Sequence, residues 1–189
     1  MKKILKVAAL SVALTALLNA CNKDEKNVDA PPPDNEVITT VQLKAVNVAD
    51  STDTMTAKWV KMDPADTSAP DVSHAVLNLK KNTVYNVEVS FLDESQSPAD
   101  DITAEVRDRG NYHLVCLTPA TGLNLLIAAT DQDTHTPALP IGLSNTFTTG
   151  AVSSGSLQVQ LHHQPTLKTG DCSLGSIDAD VSFTVNIVN

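Results

Sequence analysis

Positive charge is scarce in this chain. Thirteen Lys and Arg stand against twenty-two Asp and Glu over 189 residues, a formal net charge of −9. A nucleic-acid surface needs clustered cations to meet the phosphates, so that class of partner is excluded. Aromatic residues are fewer still, with three Phe, two Tyr and one Trp, so any core must be filled by aliphatic side chains. Enzyme signatures are missing too: the sequence has no Gly-x-Ser-x-Gly elbow, His-Glu-x-x-His pair, Walker loop or dinucleotide fingerprint. It reads as non-catalytic. Past residue 21 no apolar run approaches the roughly 18–20 residues of a membrane-spanning helix. Apolar mass itself is plentiful, at 42% hydrophobic against 19% charged residues, and a chain of that balance folds.

The first 21 residues belong to targeting and not to the fold. Lys2, Lys3 and Lys6 precede an apolar run from Val7 to Leu18, and the segment ends Leu18-Asn19-Ala20-Cys21. That ending resembles the lipobox of bacterial lipoproteins, which implies cleavage before Cys21 and palmitate-type acylation of it. The expected organisation is a signal peptide over 1–20, a lipidated Cys21 with a flexible tether over 21–35, and a folded domain over 36–189. Removing the leader removes three lysines and no acid. The mature surface is then acidic enough to be repelled by anionic headgroups, and the lipid must do the anchoring. Asn22-Lys23-Asp24-Glu25-Lys26 resembles the surface-export signal of Bacteroidota lipoproteins, implying the outer face of the outer membrane, with the periplasmic face as the alternative. Pro31-Pro32-Pro33 reads as an extended spacer.

Beyond the tether the pattern alternates with period two. Val41, Leu43 and Ala45 share a face, as do Tyr85, Val87, Val89 and Phe91, then Leu157, Val159 and Leu161, then Val181, Phe183, Val185 and Ile187. Two more continuous runs, Leu114–Leu117 and Leu123–Ala129, are expected as central strands. Prolines fall between the runs, where no ladder hydrogen bond is lost. The one helical signal is Ala99–Arg107, with an aspartate placed to cap Ile102-Thr103-Ala104-Glu105-Val106. The pattern predicts an all-β, immunoglobulin-like antiparallel sandwich of eight or nine strands with one short helical turn; a small barrel is the alternative.

Candidate chemistry is sparse. Cys116 and Cys172 remain once Cys21 is lipidated. In an exported chain they pair as a disulfide, or stand as a buried and an exposed free thiol. His163 continues the apolar face of Leu157, Val159 and Leu161, whereas His162 continues the polar one. His113 opens the run His113-Val115-Leu117. Two imidazoles at strand ends, with a carboxylate such as Asp131 or Asp133, would make a divalent-metal site; part-buried structural histidines are the plainer alternative. Asp63, Asp66 and Asp71 sit in another oxygen-rich loop, which does not fit the twelve-residue calcium loop.

Several stretches taken together resemble a family of small Bacteroidota outer-membrane lipoproteins. They are Glu36–Val41, Phe91-Leu92-Asp93-Glu94-Ser95 with Asp101-Ile102-Thr103, Phe147–Ala151, and Leu157–Pro165. The resemblance implies a secreted β-sandwich associated with TonB-dependent receptors, and hence a non-catalytic, ligand-binding accessory to nutrient uptake. Where that family has an Asp- and Gly-rich loop, this chain has Asp63-Pro64-Ala65-Asp66-Thr67, without the glycines. The resemblance supplies no functional residues, so His113 and His163 rest on their strand positions alone. Two further readings stay open: a metal- or haem-binding protein using His113 and His163, and a structural or adhesive surface module.

Overall fold

The computed structural model describes residues 37–166 and 168–189. The leader, Cys21 and the tether lie outside the described residues. Alternation builds nine strands: β1 (Thr40–Asn47), β2 (Thr54–Val60), β3 (Val76–Lys80), β4 (Val84–Leu92), β5 (His113–Pro119), β6 (Leu125–Ala129), β7 (Ser144–Thr149), β8 (Ser153–His163) and β9 (Ser176–Val188). They form two sheets, ordered β2-β1-β4-β7-β6 and β3-β9-β8-β5. The inward faces meet in an aliphatic core with four aromatics at its centre: Tyr85, Phe91, Phe147 and Phe183 are all essentially inaccessible. Tyr85 keeps its hydroxyl satisfied there by accepting from the Lys80 amide, at 2.9 Å. The all-β sandwich is as expected.

The single helix, α1 (Ile102–Asp108), is capped by Asp101, whose carboxylate accepts from the Thr103 amide. Thr103 then ties α1 to β4: its hydroxyl donates to the Phe91 carbonyl and accepts from the Phe91 amide. Among the described residues no helix is long and apolar enough to cross a membrane.

Three details depart from the expectation. The β3–β9 pairing is parallel, whereas the other ladders are antiparallel. The connection from β2 carries the chain into the other sheet, and alternation within a strand cannot reveal direction. The two continuous apolar runs are edge strands and not central ones. In β6 the run simply alternates, with Leu125 inside and Leu126 70% exposed. In β5 both faces are covered, because Cys116 on the outer face is bonded to Cys172 in the β8–β9 connection.

That same connection explains His162. Instead of facing water it is buried, with Nδ1 against the Leu174 carbonyl at 3.1 Å.

Candidate functional site

The two candidate histidines are brought together by strand pairing. β5 and β8 are antiparallel neighbours, and their register sets His113 directly opposite His163. The rings stack with centroids 4.9 Å apart and planes 24° from parallel. Both side chains are buried, at the end of the inward face that Val115 and Leu161 continue into the core.

His113 is held from behind by the turn that follows α1. Its Nδ1 lies 3.2 Å from the Arg109 carbonyl. A carbonyl only accepts, so Nδ1 carries the proton and Nε2 is the lone-pair nitrogen. Burial first, and then the neighbouring His163, push the His113 pKa down to about 4, so the ring is neutral at physiological pH.

His163 differs in one respect: its Nε2 is buried and has no hydrogen-bond partner among the described residues. Such an atom is uncommon in a folded protein, because leaving it unpaired costs about 1–3 kcal/mol.

The acid that joins the pair is Asp178. The β8–β9 ladder pairs Leu161 with Ala179 and then His162 with Ile177, so Asp178 is the extra residue of a bulge. A bulge re-aims a side chain that strict alternation would send to the opposite face. Ligand atoms of His113, His163 and Asp178 all lie within 4.8 Å of one another, with Asp178 half-exposed. Gly175 lets β9 start this close to β8. Its φ is +87°, and a Cβ there would run into the His163 carbonyl, so only glycine fits.

Asp131 and Asp133, expected as the carboxylate partners, are committed elsewhere. Asp131 accepts from the Gly142 amide at 2.8 Å and the Leu143 amide at 3.0 Å. Asp133 accepts from the Leu139 and His135 amides, from the His135 ring at 2.9 Å and from Lys168 Nζ at 3.0 Å. Burial alone would raise the Asp133 pKa, but these donors outweigh it and hold the carboxyl well below its usual range. Lys168 is equally enclosed and also donates to the Gly110 carbonyl at 2.8 Å. The loop aspartates Asp63, Asp66 and Asp71 each accept from the backbone amide two residues on, the ordinary work of turn aspartates.

Cys116 and Cys172 are joined in a disulfide with Cα atoms 6.0 Å apart. Gln164 closes the same connection, donating to the Asp171 and Leu174 carbonyls. The segment leading from His163 to Asp178 is therefore fixed at several points.

No family model matches the chain, and comparison with curated proteins and with solved structures finds no match either.

Proposed function

We propose that this chain is a lipid-anchored, non-catalytic ligand-binding protein of the outer membrane, displayed at the cell surface, that serves a TonB-dependent uptake receptor as an accessory. The observation that carries the binding part is the gathering of His113, His163 and Asp178 at the ends of three strands, with backing that locks their positions. Donors preorganised on rigid strands suit the holding of a ligand. The anchoring part rests on the lipobox resemblance ending at Cys21. The surface address rests on the charged patch after it, and the receptor on the family resemblance.

An adhesive role would draw on the β6 edge with its exposed Leu126, but that edge is only five residues long.

Two measurements in the native host test the reading. Cys21→Ser should move the protein from the membrane fraction to the soluble one. Mild crosslinking should recover an outer-membrane receptor with the wild-type chain. A Cys21→Ser protein still held in the membrane fraction, or crosslinking that recovers no such receptor, overturns it.

A further inference from the structure

We infer that His113, His163 and Asp178 are the protein ligands of a divalent transition-metal ion of the zinc type, bound through two imidazole nitrogens and one carboxylate oxygen. The inference names the ligand class of the binding site proposed above. It depends on that reading for its biological use and not for its chemistry.

Four observations converge on these residues. The ligand atoms lie within 4.8 Å of one another. Donor atoms around a tetrahedral zinc, at ~2.0–2.2 Å from the ion, sit roughly 3.3 Å apart, so a small inward closure completes the set. The His113 ring is oriented by the Arg109 carbonyl behind it, the usual second partner of a metal-bound imidazole, and this leaves Nε2 as its lone-pair nitrogen. His163 Nε2 is buried with no hydrogen-bond partner among the described residues, and a metal ion would satisfy it. Lastly, a bulge breaks the β8–β9 register at Asp178, where regular alternation would have kept the carboxylate out of the group.

His162 supplies an internal comparison. Among the described residues its Nε2 is also buried without a hydrogen-bond partner, yet it joins no donor group of this kind with other His, Cys or acidic residues there. Among the described residues the group that could hold a metal is His113, His163 and Asp178.

The donor chemistry selects the ion. Calcium and magnesium are hard cations that take oxygen ligands, whereas imidazole suits zinc, copper, nickel and iron. Haem fits poorly. Axial coordination by both rings needs the macrocycle between them, and stacked rings 4.9 Å apart with buried edges offer no slot for it. Three protein donors leave a coordination position for water, on the side where half-exposed Asp178 meets solvent.

The test uses the purified full chain in detergent, stripped with a chelator and titrated with zinc while native mass spectrometry and calorimetry follow stoichiometry and affinity. Cobalt(II) replaces zinc in a parallel titration, so that its visible bands report nitrogen and oxygen coordination. We expect one ion per chain, and a loss of affinity of about a hundredfold or more in His163→Ala and in Asp178→Asn, beyond the 10–100-fold typical of outer-shell changes. Asp178 is half-exposed, so Asp178→Asn keeps the fold even if His163→Ala loosens it; circular dichroism checks both. Asp180→Asn, two residues along β9 on an exposed carboxylate that accepts from Gln158 and Gln160, should bind as the wild type does. The absence of stoichiometric zinc, or affinity unchanged in Asp178→Asn and His163→Ala, overturns the inference. Zinc bound as expected without any receptor crosslink would leave the metal site standing and remove the uptake role.

Discussion

Two buried polar clusters flank the turn that follows α1, and they are built on opposite principles. In one, Asp133, His135 and Lys168 exchange hydrogen bonds among themselves and with the backbone. Asp133 and Lys168 are fully enclosed, and each has several partners. In the other, His113 and His163 stack beside Asp178, and the Nε2 of His163 has no hydrogen-bond partner among the described residues. The first cluster joins the 131–140 loop to the β8–β9 connection and is chemically complete. The second is held by strand register and by the Arg109 carbonyl behind His113, yet a buried ring nitrogen in it has no hydrogen-bond partner among the described residues. A closed network satisfies its own polar groups, whereas an unpartnered buried nitrogen beside other donors calls for an explanation, and the proposed metal supplies one. Sequence proximity obscured the difference, because Asp131 and Asp133 lie among loop residues that look like free ligands.

The largest effect should come from opening the closed cluster. Asp133→Ala removes the ion-pair partner of buried Lys168 and leaves only the more distant charge of Asp131, which should destabilise the protein by about 3–5 kcal/mol, read from the urea midpoint. The direction with pH follows from the depressed Asp133 pKa. The pair's contribution is complete above the unfolded-state value of about 4 and is lost as pH falls below it toward the folded-state value. Wild-type stability should therefore drop below about pH 4, and the Asp133→Ala protein should lose less over the same interval. Equal acid sensitivity in both proteins would show that Asp133 does not hold the loops together.

The next largest effect belongs to the covalent tie. The disulfide spans 56 residues, which corresponds to about 4 kcal/mol in the chain-entropy treatment. Replacing both cysteines with serine should cost up to that amount. It should also weaken zinc binding, because the segment between His163 and Asp178 loses its attachment to β5. A double variant with reduced stability but unaltered zinc affinity would place the site's rigidity in Gln164 and Gly175 instead.

Most of the scaffold was legible beforehand because burial on one face of a strand writes itself as alternation. Tyr85 to Phe91 and Val181 to Ile187 carry it without interruption. The inward aim of His163 follows from Leu157, Val159 and Leu161, whereas His113 opens a run that is apolar on both faces, so alternation alone does not set its side. That the two would stand opposite each other was not legible, since register between strands forty residues apart is set by the whole sheet. Asp178 was hidden for a stronger reason. By parity with Ser182, Thr184 and Asn186 it belongs to the outer face, and only a bulge reverses that. The bulge also turns Ile177 outward: it has the inward parity of Ala179 and Val181, yet it is 50% exposed. An apolar residue on the correct phase gives no warning of that, and Gly175 two positions earlier is the better signal.

The smallest effect is the most discriminating, because the two clusters predict opposite signs. In the closed cluster Asp133, His135 and Lys168 are paired with one another or the backbone, so truncating Asp133 or Lys168 should destabilise the fold by stranding a buried partner. In the open one, His163→Leu removes a buried nitrogen that has no hydrogen-bond partner among the described residues, at nearly constant volume. Without metal, the variant should gain about 1 kcal/mol, the lower end of the cost of an unsatisfied buried polar group, offset in part by the lost contact with the His113 ring. With zinc present the order should invert, since only the wild type gains stability from binding, by an amount that grows with the ratio of free zinc to its dissociation constant. Thermal or urea unfolding of both proteins, with and without zinc, measures the crossing directly. If His163→Leu is destabilised under both conditions, the ring serves the core and the two clusters differ only in polarity. A crossing on zinc addition would show that the fold gives up stability at His163 to keep a ligand position open.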